Sequence, residues 1–207
     1  MTDSSARQAQ LRARVLELAR ASDPYAHIYA GKEFRRDYVA ARTLAWSVLF
    51  KDLRDTTGRV LEIGSKEGRS AIFWLEFFAG AHLTCIDLFH DEDSERFDLN
   101  LVAYGMRLRK IAGTSIKALG VLREENAVFD FIYVDGSHQR DDVMIDCLGA
   151  WRLLREGGVM LMDDYTWKPD NPDAERVAPA VDVFLAWHGD AEVILRSHQV
   201  AVRKRRA

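Results

Sequence analysis

The chain has 207 residues, 48% of them hydrophobic, and a formal net charge of −3. This length and composition suit one α/β domain with a sizeable core and leave little room for a second domain. The slightly acidic balance does not favour nucleic acid or an anionic membrane surface as the main partner. No apolar run approaches the roughly 18 residues of a membrane span, so we expect none.

The amino-terminal segment has no targeting signature. Residues 1–20 lack the apolar core of a signal peptide, and the acidic residues Asp3 and Glu17 argue against a transit peptide. We therefore predict a cytoplasmic protein. Cys85 and Cys147 lie within apolar patterns, and we expect both to be reduced residues of the core.

Two helices are predicted before the sheet begins. Apolar residues recur at helical spacing between residues 11 and 18, and a second helical pattern covers residues 32–53. We predict that residues 1–56 form a helical cap on the sheet. A cover over the substrate entrance and a contact between copies of a homo-oligomer are the two alternatives.

Residues 57–207 alternate short apolar runs with helical patterns, which is typical of βαβ units and a parallel sheet. The helix that follows Asp135 is predicted to end at Gly157 and Gly158. Near the carboxyl terminus, two alternating runs stand too close together for a parallel crossover and must form an antiparallel hairpin. The predicted fold is therefore α/β, with a doubly wound, mostly parallel sheet that ends in a hairpin. The predicted parallel strands cover 59–63, 81–87, 107–113, 128–135 and 158–163.

The loop after the first predicted strand has the features of a ligand site. Gly64 follows the strand directly and Gly68 stands where the next helix begins, so backbone and free helix N–H groups can approach a ligand. Asp87 ends the second strand, where a carboxylate can accept hydrogen bonds from both ribose hydroxyls of a nucleoside cofactor. A nicotinamide dinucleotide site would require G-x-G-x-x-G, and this loop is one glycine short and differently spaced.

The pattern Glu62-x-Gly64-x-x-x-Gly68 resembles the first motif of the class I S-adenosylmethionine-dependent methyltransferases. In these enzymes the loop after the third strand seats the adenine, and here that loop is IAGTS. Ser115 in this loop is equally a candidate helix N-cap. The cofactor-binding residues that the resemblance implies are Glu62, Gly64, Ser65, Gly68, Ser70, Asp87, Gly113, Thr114, Ser115 and Asp135.

Two predicted strands end on carboxylates. Asp135 follows the fourth strand, and Asp163 and Asp164 follow the fifth. We expect these consecutive strands to be neighbours, which would bring three carboxylates together at the ligand edge of the sheet. Such charges repel one another, and a hard divalent cation such as Mg²⁺ would relieve the repulsion and leave positions for substrate oxygens. The alternative is that Asp135 and Asp164 only cap the helices or turns that follow them.

A longer resemblance covers residues 60–187. The motifs VDGSH and MDDYTW resemble those of the macrocin O-methyltransferase-like group of class I methyltransferases. This group has a seven-stranded sheet with a terminal hairpin. In it, and in the related catechol-type O-methyltransferases, the residues at the positions of Asp135, Asp163 and Asp164 hold magnesium. The catechol type has asparagine at the position of Asp164, whereas the macrocin-like group keeps the carboxylate.

His138 lies three residues after Asp135, at the position where the catechol-type enzymes have a lysine base. A histidine changes its charge near neutral pH, so it can act as the base there. The two other interpretations are a metal ligand and a residue at a helix start without a chemical role. The predicted catalytic residues are His138 and Asp135.

These patterns and the resemblance predict that residues 57–207 form an S-adenosylmethionine-dependent methyltransferase domain. It would methylate a hydroxyl of a small molecule, with Mg²⁺ as a second cofactor. A nicotinamide-dependent oxidoreductase and a methyltransferase-like module that binds without catalysis are the alternatives. Nucleic acid is disfavoured because MDDYTW stands where amino-group nucleic-acid methyltransferases have an Asn/Asp-Pro-Pro-aromatic motif, and the basic RKRRA tail is interpreted as a solvated terminus. No nucleic-acid or membrane partner is therefore predicted.

Overall fold

The computed structural model describes residues 2–21 and 23–206. Within the described part of the chain, none of the helices combines the length and the apolar character that a membrane span needs. The helices are α1 (Thr2–Leu18), α2 (Ala40–Leu49), α3 (Arg69–Phe77), α4 (Asp91–Leu101), α5 (Ser115–Glu124), α6 (Arg140–Leu153) and α7 (Val177–Trp187). The strands are β1 (Arg59–Ile63), β2 (His82–Asp87), β3 (Leu108–Ala112), β4 (Phe129–Val134), β5 (Leu154–Met162), β6 (Ala191–Arg196) and β7 (Val200–Lys204).

The strands form one seven-stranded sheet in the order β3-β2-β1-β4-β5-β7-β6. Strands β1 to β5 run parallel to one another, and β7 is inserted antiparallel between β5 and β6. The chain moves outward from β1 to β3 and then returns to β4, so the direction of winding reverses between β1 and β4. The prediction of a doubly wound, mostly parallel sheet with a terminal hairpin is confirmed. Ligands of such sheets bind at the reversal point, outside the carboxyl ends of the strands.

The second helix is shorter than predicted. It covers Ala40–Leu49 rather than residues 32–53. The side chain of Asp37 accepts hydrogen bonds from the N–H groups of Val39 and Ala40, both at 2.9 Å, and so fixes the backbone just before the helix. Because the chain is held in this turn, the helical pattern of the preceding residues does not become a helix.

Helix α6 does not stop at the predicted pair of glycines. It ends at Leu153, and β5 begins at the next residue. Gly157 lies inside β5 with a φ of 75°, opposite a shift in pairing register between Phe129 and Phe131 of β4. The prediction was wrong because a glycine at positive φ serves an irregular strand as readily as a helix end.

Two hydrophobic clusters fill the two faces of the sheet. Neighbouring residues of β1 point to opposite faces, so Val60 belongs to one cluster and Leu61 to the other. Helix α3 packs into the first cluster, and α5, α6 and α7 pack into the second. Because helices cover both faces, the central strands are mostly apolar, and Glu62 of β1 is an exception. The first cluster also contains residues from before residue 57, and the predicted boundary between residues 56 and 57 stays a prediction.

Trp46 on α2 connects the amino-terminal helices to the sheet. Its side chain is 1% exposed and stacks on Trp74 of α3, with ring centroids 4.6 Å apart. The ring also meets Tyr133 of β4 edge-on, at 5.4 Å between centroids. The indole Nε1 donates a hydrogen bond of 2.7 Å to Oε1 of Gln199, the residue just before β7. One side chain therefore joins α2, α3, the sheet and the hairpin.

We expect Trp46→Phe to lower the free energy of unfolding by about 2 kcal/mol, because it removes the indole N–H, leaves Oε1 of Gln199 without that donor and opens a small cavity. Trp187 on α7 is 68% exposed, so Trp187→Phe is the matched control. That control should change the free energy of unfolding by less than about 0.5 kcal/mol. Urea unfolding measures both variants, and equal stabilities would contradict the role given to Trp46.

Candidate functional site

A cavity of about 540 Å³ lies outside the carboxyl ends of β1, β2, β3 and β4, where the order of the strands reverses. Its walls come from the loops that follow these four strands and from the first half of α6. This is the position at which open α/β sheets bind ligands. The predicted cofactor-binding residues that line the cavity are Gly64, Asp87, Gly113, Thr114, Ser115 and Asp135.

Gly64 is required by the close approach of two loops at the cavity. Its φ of 92° lies in the left-handed region, and a Cβ atom placed there would be 1.9 Å from the backbone oxygen of Asp135. The N–H of Asp135 donates to the oxygen of Ile63 at 2.8 Å, which holds the two strand ends together. The loop after β1 therefore presents bare backbone to the cavity, where a ligand can press against it.

Asp87 ends β2 with its carboxylate fixed by two backbone donors. Oδ2 accepts a hydrogen bond from the N–H of Lys66, and Oδ1 accepts one from the N–H of Phe89, each at 2.9 Å. A carboxylate has about four lone-pair sites, so each oxygen retains one for a ligand. Asp87 is therefore held in the orientation in which it can accept hydrogen bonds from two neighbouring hydroxyls.

Other predicted cofactor-binding residues lie behind the cavity wall. Gly68 precedes α3 with a φ of 83°, and a Cβ atom there would be 2.1 Å from the side chain of Leu101. Glu62, Ser65 and Ser70 are buried beneath the loop. These residues support the shape of the loop, and a direct contact with a cofactor stays a prediction.

Glu62 is a fully buried carboxyl group within β1. The Cys85 thiol donates to its Oε2 at 3.6 Å, and Oε1 has no hydrogen-bond partner in the described part of the chain. Burial raises the pKa of Glu62 to about 7, although Ser65, Ser70 and Cys85 lower it in part. The group therefore changes between its neutral and charged forms near physiological pH.

The loop between β3 and α5 forms one end of the cavity. Thr114 occupies the N-cap position of α5, but its side chain makes no capping hydrogen bond. Ser115 is the first residue of the helix, so the alternative role of Ser115 as the N-cap was wrong. The N–H of Gly113 donates to the oxygen of Asp87 at 2.9 Å and fixes this loop against β2.

Three carboxylates meet at the carboxyl ends of β4 and β5, which are neighbours, as predicted. The Tyr133 hydroxyl is within hydrogen-bond reach of Asp135, at 3.1 Å, and of Asp163. Burial raises the pKa of Asp135 well above its usual range, and the charges of Asp163 and Asp164 raise it further. A cation near Asp135 would relieve both effects.

Asp163 is the enclosed member of the cluster. Its Oδ1 accepts hydrogen bonds from Nη1 of Arg42 at 2.5 Å and from the N–H of Asp164 at 2.7 Å. Its Oδ2 accepts from the Tyr133 hydroxyl and from Nε2 of Gln199 at 2.8 Å. Donors within the protein thus use about four lone-pair sites of this carboxylate, which is 5% exposed. A metal ion at Asp163 would have to displace one of them.

Asp164 lies between two imidazoles. Nε2 of His138 is 2.7 Å from Oδ2, and Nε2 of His198 is 3.0 Å from Oδ1. Burial raises the pKa of Asp164, but the hydrogen bonds from both imidazoles and the charges of His138 and Arg42 outweigh it, so the pKa lies well below its usual range. The ring of His138 also stacks on Trp167, with centroids 4.3 Å apart. The φ of Asp164 is 56°, a strained value of the kind found at functional sites.

Two overlapping groups of side chains have the spacing of metal ligands. Asp135, His138 and Asp164 form one group, and Asp163, Asp164 and His198 form the other. Within each group, the ligand atoms all lie within 4.8 Å of one another. Carboxylate and imidazole groups bind divalent cations, and the first group is the more open because protein donors occupy Asp163.

The sequence did not identify three side chains of this cluster. Arg42 comes from α2, 121 residues before its partner Asp163, and no local pattern marks it. His198 and Gln199 come from the turn between β6 and β7. The sequence predicted the hairpin but not that it pairs with β5, so it did not indicate that the turn of the hairpin lies beside the acidic residues. The polar SHQ segment inside an apolar hairpin was the available signal.

Because burial raises the pKa of Glu62 from 4.5 to about 7, the folded state keeps a proton that the unfolded state releases. The contribution of this proton to stability is complete below about pH 4.5 and is lost as the pH rises to about 7. Glu62→Gln imitates the protonated acid at every pH. Its stability relative to the natural chain should therefore rise by roughly 3 kcal/mol across this interval.

Urea unfolding without ligand, at pH 5 and at pH 8, measures the effect of Glu62→Gln. Glu124 is exposed on α5, and Glu124→Gln is the matched control. The control should differ from the natural chain by less than about 0.5 kcal/mol at both pH values. If the free energy of unfolding changes by the same amount between pH 5 and pH 8 in Glu62→Gln and in the natural chain, Glu62 does not hold the proton.

Comparison with known families adds to this geometry. A family model described as a methyltransferase domain matches residues 61–165. This span includes Gly64, Asp87, Asp135 and Asp164, and so contains both the cavity loop and the acidic strand ends. A search of curated proteins found no match.

Solved structures share the fold. An O-methyltransferase from Bacillus cereus in complex with SAH gives a TM-score of 0.67 at 16% identity, over 94% of this chain and 91% of that chain. TomG, from Streptomyces achromogenes and involved in tomaymycin synthesis, is in complex with SAM and gives 0.65 at 20% identity, over 99% and 100%. MycE, from the mycinamycin biosynthetic pathway, is in complex with Mg and SAH and gives 0.65 at 19% identity, over 93% and 55%. The present chain thus spans about half the length of MycE.

The family model extends over half of the chain and covers the segment that carries the reversal of strand order. The structural neighbours are similar over nearly the whole chain, including the carboxyl-terminal hairpin. The chain belongs to the methyltransferase-domain family.

Proposed function

We propose that the protein transfers the methyl group of S-adenosylmethionine to a hydroxyl of a small molecule, with the help of a divalent metal ion. One observation carries the proposal. Asp135 lines both the large cavity and the small pocket formed with His138, Asp163 and Asp164. A methyl donor in the cavity would therefore adjoin side chains that can hold a hydroxyl and accept its proton.

The cavity suits the parts of S-adenosylmethionine. Its volume of about 540 Å³ is within the usual range of small-molecule sites. The bare backbone at Gly64 would seat the methionine portion, and the carboxylate of Asp87 would accept hydrogen bonds from the ribose hydroxyls. The loop from Gly113 to Ser115 would adjoin the adenine. The bound cofactor supplies a methyl carbon that is already electrophilic.

Asp135 and Asp164 would hold the metal ion, with His138 beside them. The high pKa of Asp135, which burial and its acidic neighbours cause, supports a cation at this position. Asp163 was also predicted as a ligand, and it would join only if Arg42 gave up its hydrogen bond. When bound, such an ion lowers the pKa of a substrate hydroxyl and fixes its oxygens.

His138 would accept the proton of the substrate hydroxyl. Its Nε2 is directed to Asp164, so the hydrogen sits on that nitrogen and Nδ1 keeps its lone pair. Asp164 and the stacked ring of Trp167 fix the imidazole in one orientation. The bound cofactor would supply the methyl group that the hydroxyl oxygen receives, and Nδ1 of His138 would accept the proton that this oxygen loses. Alignment of these atoms supplies much of the rate.

The acceptor that we propose is a hydroxylated small molecule. MycE, which shares the fold, is in complex with Mg, SAH and mycinamycin VI. In the present chain the hydroxyl would lie at the pocket lined by Asp135, His138, Asp163 and Asp164, beside the cavity that would hold the cofactor. A cytoplasmic location and a homo-oligomer through the amino-terminal helices stay predictions.

The proposed function is tested first by calorimetric titration of the natural chain with S-adenosylmethionine, and in parallel with NAD⁺. We expect micromolar affinity for S-adenosylmethionine and no measurable binding of NAD⁺, because the glycine loop differs from the dinucleotide pattern. Binding of NAD⁺ in place of S-adenosylmethionine would favour an oxidoreductase. If neither ligand binds, the chain is a module without this catalytic activity.

The metal site is tested with Asp164→Asn, in which the ligand charge is lost but the side-chain shape remains. Asparagine tolerates positive φ, so the backbone should be preserved. We expect the affinity for Mn²⁺, measured by electron paramagnetic resonance, to fall about 100-fold while binding of S-adenosylhomocysteine is unchanged. Asp170→Asn, on the exposed loop that follows, is the control and should bind Mn²⁺ like the natural chain. Equal Mn²⁺ affinities for the two variants would refute the site.

His138→Gln in the same experiment separates the possible roles of the histidine. If His138 is the base, His138→Gln should lower methyl transfer about 100-fold or more and leave the Mn²⁺ affinity unchanged. If His138 is a metal ligand, the same variant should lower both the Mn²⁺ affinity and methyl transfer. Retention of both properties would show that His138 has no chemical role.

A further inference from the structure

Asp164 belongs to both groups of candidate metal ligands and presents a different oxygen to each. Its Oδ2 is 2.7 Å from His138, in the first group, and its Oδ1 is 3.0 Å from His198, in the second. Asp135 completes the first group and Asp163 the second. Among the residues described, Asp135 lines the large cavity and no member of the second group does. A cation held by the first group would therefore border the cavity, whereas one held by the second group would not.

The guanidinium of Arg42 lies against the second group. Nη1 donates to Oδ1 of Asp163 at 2.5 Å, and Nη2 is 3.9 Å from Oδ1 of Asp164. The imidazole of His198 approaches the same two oxygens, with Nε2 3.0 Å from that of Asp164 and 3.9 Å from that of Asp163. The guanidinium thus points at the two oxygens that a metal ion in the second group would need.

The charge of Arg42 is permanent and its position is fixed. Burial lowers the pKa of Arg42, but the charge of Asp163 and of other neighbouring groups outweighs it, and a guanidinium keeps its proton in proteins. Helix α2, which carries Arg42, is held by two further hydrogen bonds: Trp46 donates to Gln199 at 2.7 Å, and Thr43 donates to Asp23 at 2.6 Å. A divalent cation in the second group would meet this fixed positive charge at short range and be repelled.

We propose that Arg42 is a positioning residue whose guanidinium fills the second group with a permanent cation and so confines the divalent metal ion to the first group, beside the cavity. The inference rests on the proposed function, which assigns the metal ion. Without the charge of Arg42, the second group would offer two carboxylates and an imidazole. Nε2 of His198 could then bind the ion, with the hydrogen on Nδ1 donated to Oγ1 of Thr166, 2.7 Å away.

The test compares Mn²⁺ binding, measured by electron paramagnetic resonance, in the natural chain and in variants of Arg42. Arg42→Gln removes the charge and keeps a polar side chain, and it should bind Mn²⁺ at least about tenfold more tightly. Arg42→Lys keeps the charge and should bind Mn²⁺ like the natural chain. Arg109 forms an exposed ion pair with Glu125 on the edge strand β3, so Arg109→Gln is the matched control and should leave the affinity unchanged.

The position of the ion is measured with His198→Gln. In the natural chain this variant should change the Mn²⁺ affinity by less than about twofold, because the ion does not touch His198. In the Arg42→Gln chain, the same change should cancel the gain in affinity. It should also remove the coupling of an imidazole nitrogen from the electron spin echo modulation of the bound Mn²⁺. A purely structural role of Arg42 would produce neither effect.

Three results would overturn the inference: equal Mn²⁺ affinities in Arg42→Gln and the natural chain, an equal gain in Arg42→Lys and Arg42→Gln, or a gain that persists after His198→Gln. If Arg42→Gln does not fold, His198→Gln in the natural chain still decides, because a loss of Mn²⁺ affinity there would place the ion in the second group. If the natural chain binds no Mn²⁺, the metal ion of the proposed function fails and the inference fails with it. The two kinds of failure are therefore distinguishable.

Discussion

The repulsion among three carboxylates at the ends of β4 and β5 is the constraint on which the rest of the site depends. The sheet brings Asp135, Asp163 and Asp164 together because the two strands are neighbours. Distant parts of the chain stabilise Asp163: the guanidinium of Arg42 from α2 offsets its charge, and the amide of Gln199 from the hairpin donates a hydrogen bond to it. The amino-terminal helices and the carboxyl-terminal hairpin thus converge on one acidic centre. Asp135, which lines the cavity, has the Tyr133 hydroxyl as a partner but no ion pair within the described part of the chain.

The close approach of β1 and β4 links the cavity to this acidic centre. Gly64 touches the backbone of Asp135, so a ligand seated on the glycine loop would lie next to the acid that begins the cluster. A cofactor and a metal ion bound to these two features would share one side chain. The distance between a bound cofactor and a bound metal ion would therefore be set by the pairing of β1 with β4 in the sheet.

Much of the fold was predictable because its signals are local. Apolar runs, strand-end acids and the glycine pattern at Gly64 predicted the sheet, its terminal hairpin and the ligand edge. The pairing of β7 with β5 and the position of α2 depend on contacts between residues far apart in sequence, and no local pattern encodes them. Arg42 and His198 were missed for this reason, as was the enclosure of Asp163. Gly157 was misassigned because positive φ fits more than one kind of structure.

The hydrogen bond between Trp46 and Gln199 fixes the orientation of the Gln199 amide beside the acidic cluster. An indole N–H can only donate and an ionised carboxylate can only accept, so the amide between Trp46 and Asp163 has one permitted orientation. Rotation of the amide by half a turn would set two donors together on one side and two acceptors on the other. An aspartate or glutamate at this position has no donor when ionised and would break the chain of hydrogen bonds. Position 199 therefore accepts only residues that have both a donor and an acceptor, although it lies in a turn, where sequence usually varies; the side chain itself is buried.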